Sequence, residues 1–278
     1  VLTSGRLAHA NDFCMPSTFL SVDLGNSRCK LCVWTIAADV PPKMRAAHEL
    51  ESRAGLGEAA LAWLASERDI DSAAVSSVAA RALEDELCAA LDARLNGGLQ
   101  RRPDPGVAIE CRDPDAVGRD RVFAARGAWE LVKGSAIVVD AGTALTVDAL
   151  RAGGSGGLRA VFLGGAIAPG PTLLAEALAR GTARLPLVEP RVGASALGRD
   201  TESALQSGVV VGFRGAAHEL VEGVAAEASL ASAPVVLTGG ARAFLLRPSA
   251  FGSRSVREAP DLVHRGLIAA CSSPLAKR

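Results

Sequence analysis

Apolar and polar positions switch repeatedly between strand-like runs and helical spacing along this chain. Residues 18–24 form a short β-rich run closed by Gly25-Asn26-Ser27, a turn signal, and 29–36 read as the returning strand of a hairpin. Residues 58–67 place Leu61 and Leu64 at helical spacing with Trp63 beside them. A small apolar strand follows at 73–78, then an amphipathic helix at 83–95 ended by Asn96-Gly97-Gly98. A loop rich in Gly, Pro and Arg covers 97–106 and leads to a short strand at 107–111. A helix is expected over 119–133, ended by Gly134. The run 136–139 reads as a buried strand partnered across a turn by 145–150; Gly153 to Gly157 is a hairpin tip, and 160–168 a further strand. A helix over 172–180 has Pro171 near its start. The long helical region 195–227 carries Gly208, Gly212 and Gly215, which would let another element pack closely. A strand at 235–238, a short helix at 241–246 and a last helix at 261–271 complete the pattern, and the class is α/β.

One pattern occurs twice. Asp23-Leu24-Gly25-Asn26-Ser27 and Asp140-Ala141-Gly142-Thr143-Ala144 each close an apolar strand with Asp, one residue, Gly, then a polar residue and a second strand. The repeat predicts two similar halves, 15–133 and 134–278, with two hairpin loops facing each other across a cleft.

Composition narrows the function. With 278 residues and 49% hydrophobic content, the chain has room for one large domain or two medium ones. Thirty basic and thirty acidic side chains give a formal charge of +0, which argues against a nucleic-acid-binding face. Aromatics are 4% and Tyr is absent, which argues against base stacking. The uncharged stretch 160–175 is broken by Gly164-Gly165 and Pro169-Gly170-Pro171 and is too short to span a membrane. Residues 1–14 follow no periodic pattern and carry no basic run before an apolar core; the folded chain is expected to begin near Met15. Six scattered cysteines do not resemble a disulfide scaffold, so a reducing cytoplasm is the simplest setting.

The repeated loop has a chemical use. A strand end places the Asp carboxylate at a sheet rim, and Gly lets backbone N–H groups approach a ligand. Ser27 or Thr143 adds a hydroxyl, and Lys30 could reach a phosphate. One such loop alone is more often a plain turn in which Asp and Asn bond their own backbone. Two matching loops favour phosphate binding. In Gly118-Arg119-Asp120-Arg121, the acid falls in a first helical turn, where it could be only a dipole partner or could accept a proton from a hydroxyl beside an anion-binding Arg. Gly164-Gly165 and Thr238-Gly239-Gly240 end strands, where a nucleotide could lie against the backbone. Cys29 and Cys32 fall on opposite strand faces, and the four histidines lack metal-ligand spacing.

In order, these motifs, together with Gly164 to Gly170 and Thr182-Ala183-Arg184-Leu185-Pro186, resemble the type III pantothenate kinases over nearly the whole chain, from about Thr18 to Cys271. The resemblance implies the acetate and sugar kinase, Hsp70 and actin superfamily fold with two RNase H-like halves. It implies ATP-dependent phosphorylation of pantothenate to 4'-phosphopantothenate, the first step of coenzyme A synthesis. By motif, Asp23, Leu24, Gly25, Asn26, Ser27, Arg28, Cys29 and Lys30 would form the first phosphate loop, and Thr143 would contact ATP. Gly118, Arg119, Asp120 and Arg121 would hold pantothenate, with Asp120 as general base and Thr182 as a further contact. Asp140 would bind a monovalent cation, K+ or NH4+, and Thr238-Gly239-Gly240 would be the adenosine motif. Mg2+ with the nucleotide and a homodimer with the substrate site near its interface are also implied. Two departures stand out: Cys111 replaces a common family Tyr, and Arg28 changes the charge of the first loop. Another small-molecule kinase of the superfamily, or an inactive regulatory homologue, are the alternatives; keeping Asp23, Asp120, Asp140 and Arg121 together speaks against lost chemistry.

Overall fold

Two sheets of matching order organise the chain in the computed structural model, which describes residues 17–38, 40–67, 69–153, 160–248 and 250–272. In the first sheet, β1 (Ser17–Leu24), β2 (Arg28–Ala37) and β3 (Val40–Glu51) form an antiparallel meander. β4 (Ser72–Ser77) runs parallel to β1 on its other side, and β5 (Leu99–Gln100) parallel to β4. Strand alternation divides the faces of β1. Leu20, Val22 and Leu24 pack with Leu56 and Leu64 of α1 (Leu56–Leu64) and Leu87 and Leu91 of α2 (Arg81–Leu95). Phe19 faces the opposite side, in a core shared with Trp34, Phe123 and Leu262.

The second sheet repeats this order. β7 (Ala136–Ala141), β8 (Ala144–Ala152) and β9 (Ala160–Pro169) are the antiparallel meander, with β10 (Val235–Thr238) parallel to β7 and β11 (Val256–Glu258) parallel to β10. β6 (Ala108–Ile109) adds a short parallel edge beside β9. Ile137 and Val139 pack with Phe213 and Val221 of α5 (Thr201–Glu227). α4 (Pro171–Gly181) lies on α5 through Ala175 and Val209. The duplicated Asp-x-Gly loop is thus a duplication of topology.

Between the sheets cross α3 (Arg119–Val132) and α6 (Leu262–Cys271). Their contact is reciprocal. A Cβ on Gly127 would collide with the Leu262 carbonyl, and a Cβ on Gly266 with the Phe123 carbonyl. Phe123 and Gly127, like Leu262 and Gly266, are four residues apart, so each helix offers the same face to the other.

Several elements differ from the sequence expectation. β3 was not anticipated, because its residues are largely exposed and include two prolines; it is an edge strand that pairs with β2. α5 starts at Thr201 rather than 195, because Asp200 caps it: its Oδ1 accepts from Ser203 N at 2.8 Å, and Ser203 Oγ reaches back to Asp200 N at 3.2 Å. Only one turn of 3-10 helix forms within 241–246, at Arg242–Phe244. Gly208, Gly212 and Gly215 do not serve close packing within the chain, since a Cβ on each would meet no neighbour within 4 Å. The Gly153 to Gly157 tip, after its first residue, and the Met15 start lie outside the described residues. Among the described residues no helix is long and apolar enough to cross a membrane.

Candidate active site

Both loop carboxylates stand on the sheet faces turned toward α3 and α6. Asp23 shares a face of β1 with Phe19, pairs in register with Lys30 of β2, and neighbours Ser76 of β4. Asp140 shares a face of β7 with Val138, pairs with Thr146 of β8, and neighbours Thr238 of β10. The N-terminus of α3 brings Asp120 within electrostatic reach of both. Burial pushes Asp23 up to about 7, with Lys30 opposing and the negative charges of Asp120 and Asp140 adding. Burial likewise pushes Asp140 up to about 6, again opposed by Lys30 and reinforced by Asp120 and Asp148. Asp120 is raised mainly by burial, while Arg121 holds it down. Mutual influence of this kind requires that these carboxylates share one space with a single lysine among them.

The loops are braced from behind. Gly25 N donates to Arg28 O at 2.9 Å, Ser52 Oγ donates to Gly25 O at 2.8 Å, and Ser52 N donates to Ser27 O at 3.1 Å. Asn26, Ser27 and Arg28 stay exposed at the tip, while Leu24 and Cys29 are buried below it and can offer a ligand only backbone. In the second loop, Gly142 N donates to Ala144 O at 2.9 Å and Ala241 N donates to Ala141 O at 2.7 Å. A Cβ on Gly170 would strike the Gly142 carbonyl, and one on Gly239 (φ +91°) would strike Asp140 Oδ1. These glycines therefore serve contact with the Asp140 loop. Gly240 faces open space, and Gly164-Gly165 lie inside β9 rather than at its end.

In the motif Gly118-Arg119-Asp120-Arg121, a Cβ on Gly118 would sit 2.7 Å from Asp120 Oδ1. That oxygen accepts the Arg121 backbone N–H at 2.7 Å. The Arg121 side chain turns to Asp148, its Nε 3.1 and 3.2 Å from Oδ1 and Oδ2 and its Nη2 bonded to Oδ1. Arg119 leaves the cluster: its Nη2 donates to Pro103 O at 2.5 Å and its guanidinium lies over Phe123 at 5.1 Å. Cys111 borders Gly164, whose neighbour Gly165 faces Asp148, so the replaced Tyr position lies near the Arg121–Asp148 pair. Thr143 is exposed on its loop. Thr182 is exposed after α4, its Oγ donating to Leu178 O at 2.9 Å, and makes no recorded bond to the acidic cluster. Sequence reasoning missed Asp148; its signal was a charge inside the apolar run 145–150.

Among the described residues, no group of three or more His, Cys, Asp or Glu could hold a metal alone. The recessed acid pair, offset by Lys30, fits a cation that shares its remaining ligands with phosphate and water.

A family model described as type III pantothenate kinase matches residues 19–223. The chain belongs to the type III pantothenate kinase family. A member from Chromobacterium violaceum is 37% identical over 223 residues, 80% of this chain and 86% of that protein. One from Akkermansia muciniphila is 33% identical over 238 residues, 83% of this chain and 89% of that protein. A Dehalococcoides mccartyi member is 41% identical over 165 residues, and here the chain spans only 59% of the relative's length. Among solved structures, a protein assigned as a 2-dehydro-3-deoxygalactonokinase from Sinorhizobium meliloti superposes with TM-score 0.52 at 15% identity, covering 94% of this chain and 98% of that one. The ethanolamine utilization protein EutJ from Carboxydothermus hydrogenoformans gives TM-score 0.52 at 17% identity, covering 92% and 90%. Both likenesses concern the two-lobed fold of this kinase family.

Proposed function

We propose that this chain transfers the γ-phosphoryl group of ATP to the primary hydroxyl of pantothenate, giving 4'-phosphopantothenate and committing it to coenzyme A synthesis in the cytoplasm. The observation that carries the reading is the meeting of Asp23, Asp120 and Asp140 around Lys30, with Arg121 held alongside. The halves 15–133 and 134–278 would supply one phosphate loop each. Backbone N–H groups of Gly25, Asn26 and Ser27 would cradle phosphate oxygens, with Ser27 and Thr143 adding hydroxyls and Lys30 a charge. Mg2+ bound with the nucleotide would supply charge neutralisation, and Asp23 would help to hold it. Asp140 would hold K+ or NH4+. Asp120 accepts the hydroxyl proton as the new P–O bond forms; desolvation raises its basicity, as a base working near neutral pH requires. Arg121, Gly118 and Thr182 would line the acceptor side, and Thr238-Gly239-Gly240 the adenosine side.

A coupled assay of ADP release tests the reading, with pantothenate set against sugars, polyols and hydroxy acids. Turnover of pantothenate alone is expected, dependent on K+ or NH4+ and weak in Na+. Turnover of sugars but not pantothenate would establish the second reading, another small-molecule kinase, which Cys111 in place of Tyr favours. A folded chain with no turnover on any acceptor would indicate the regulatory homologue.

A further inference from the structure

Asp148 stands outside the motifs that define the site, yet its carboxylate is held by two side chains, a hydrogen bond from Thr146 on its own strand and the Arg121 guanidinium. It lies on β8, is 1% exposed, and receives the Arg121 guanidinium edge-on through Nε and Nη2. A buried carboxylate is tolerated only when paired, and this pair has the two-donor geometry that fixes orientation as well as distance. Room for it is made across the sheet. Gly165 is the register partner of Asp148 on β9, and a Cβ there would collide with Asp148 Oδ1 and the Val147 carbonyl. Phe162, also on β9, places its ring 5.4 Å under the guanidinium carbon. Arg121 is thus gripped on one edge by Asp148 and on one face by Phe162. Its backbone N–H is meanwhile bonded to Asp120. Nη1 has no recorded hydrogen-bond partner among the described residues, and the side chain keeps 15% of its surface exposed.

We propose that Asp148 is a positioning residue for the phosphoryl acceptor. It holds Arg121 so that Nη1 is presented to the acceptor's carboxylate while the bulk of the guanidinium charge is kept from swinging onto Asp120, its neighbour in sequence. Gly165 is the second part of the device, as the residue that leaves space for the carboxylate. The proposal rests on the pantothenate reading, because only an anionic acceptor would feel the orientation of Arg121.

The test is a double-mutant cycle on the whole chain. Asp148→Asn, Arg121→Ala and the double variant are compared for pantothenate KM, ATP KM, kcat and Tm. Asp148→Asn is expected to raise pantothenate KM roughly ten- to hundredfold, the range of one lost charge-assisted contact, with ATP KM within about twofold. The double variant should be no worse than Arg121→Ala alone. A merely structural role would lower Tm and leave pantothenate KM unchanged, and multiplying effects in the double variant would equally sink the proposal. Gly165→Ala keeps the carboxylate and displaces it, so it decides the matter should Asp148→Asn not fold: a raised KM supports the proposal and a wild-type KM overturns it. If the wild-type chain phosphorylates a neutral polyol instead of pantothenate, the functional reading fails on its own, before any variant is compared.

Discussion

At the scale of single residues, the Asp120 carboxylate should be worth more to the reaction than to the fold. Its oxygen accepts one backbone N–H, and burial works against its charged form. Asp120→Asn keeps the shape and cannot take a proton, so kcat should fall ~10²–10⁴-fold while Tm holds or rises. Near-normal turnover in a well-folded variant would rule Asp120 out as the base. His264 makes the opposite kind of contribution. On α6 and 3% exposed, its Nδ1 lies 2.9 Å from Ser21 Oγ, which also accepts Trp34 Nε1 at 2.8 Å and can donate to Cys32 O at 3.3 Å. With Nδ1–H donating, every group is satisfied except a lone pair on the buried Nε2, which has no partner for a proton. Burial pushes the imidazole down to about 4, with Lys30 adding repulsion and Asp261 and Ser21 opposing it. The folded form therefore binds fewer protons than the unfolded one, whose imidazole titrates near 6.5. Stability is complete above that value and is lost as pH falls from 6.5 through 4, on the order of 3 kcal/mol. Denaturant titrations of His264→Asn should show lower stability at pH 7.5 and a shallower acid slope; a slope parallel to wild type would contradict this account. Asp120 was legible because it sits in a motif. His264 and Asp148 were not, because their meaning comes from partners 243 and 27 residues away.

At the scale of elements, glycine placement separates contacts that local sequence announces from those it hides. The two Asp-x-Gly hairpins were readable, since a strand, an Asp and a turn residue are neighbours in sequence. The α3–α6 crossing was not: Gly127 and Gly266 look like ordinary helix glycines until the facing carbonyls of Leu262 and Phe123 are seen. β3 stayed hidden because an exposed edge strand needs no apolar alternation. The crossing predicts an asymmetry. In Gly266→Ala the new methyl would press on backbone that cannot rotate away, so stability should fall by about 3 kcal/mol, the upper part of the overpacking range. In Gly223→Ala, on α5, the methyl meets nothing within 4 Å. There the gain in helix propensity should raise stability by about 0.5–1 kcal/mol. Urea titrations of both variants check the contrast, and equal effects would mean that the crossing is looser than its carbonyl contacts imply.

At the scale of the whole molecule, one face has no partner among the described residues. Gly208, Gly212 and Gly215 run along the exposed side of α5, where a Cβ on each would meet nothing within 4 Å. Each costs helix stability relative to Ala, so a stripe of three is expensive unless another backbone approaches it. Beside it, Ser207 Oγ donates to Ala196 O at 2.7 Å and anchors the segment in which Leu197 is 72% exposed and Val192 60%. Leu187 is 65% exposed, next to Val188 in the small core between α4 and α5. Exposed apolar side chains of this size and bare helix backbone are each what a self-complementary two-fold contact buries. The sequence pattern places these glycines on one helix and leaves open what packs against them, because periodicity reports a face and not its occupant. The expected outcome is a homodimer in sedimentation velocity at micromolar concentration. Gly208→Leu fills the stripe without touching the chain's own core, and Leu197→Glu adds a charge to the apolar rim. Each change is repeated on both protomers, so either should weaken the dimer roughly tenfold or more, while intrinsic fluorescence and Tm of the dissociated chain stay close to wild type. A wild-type chain that sediments as a monomer at full activity would show instead that the stripe serves no self-association.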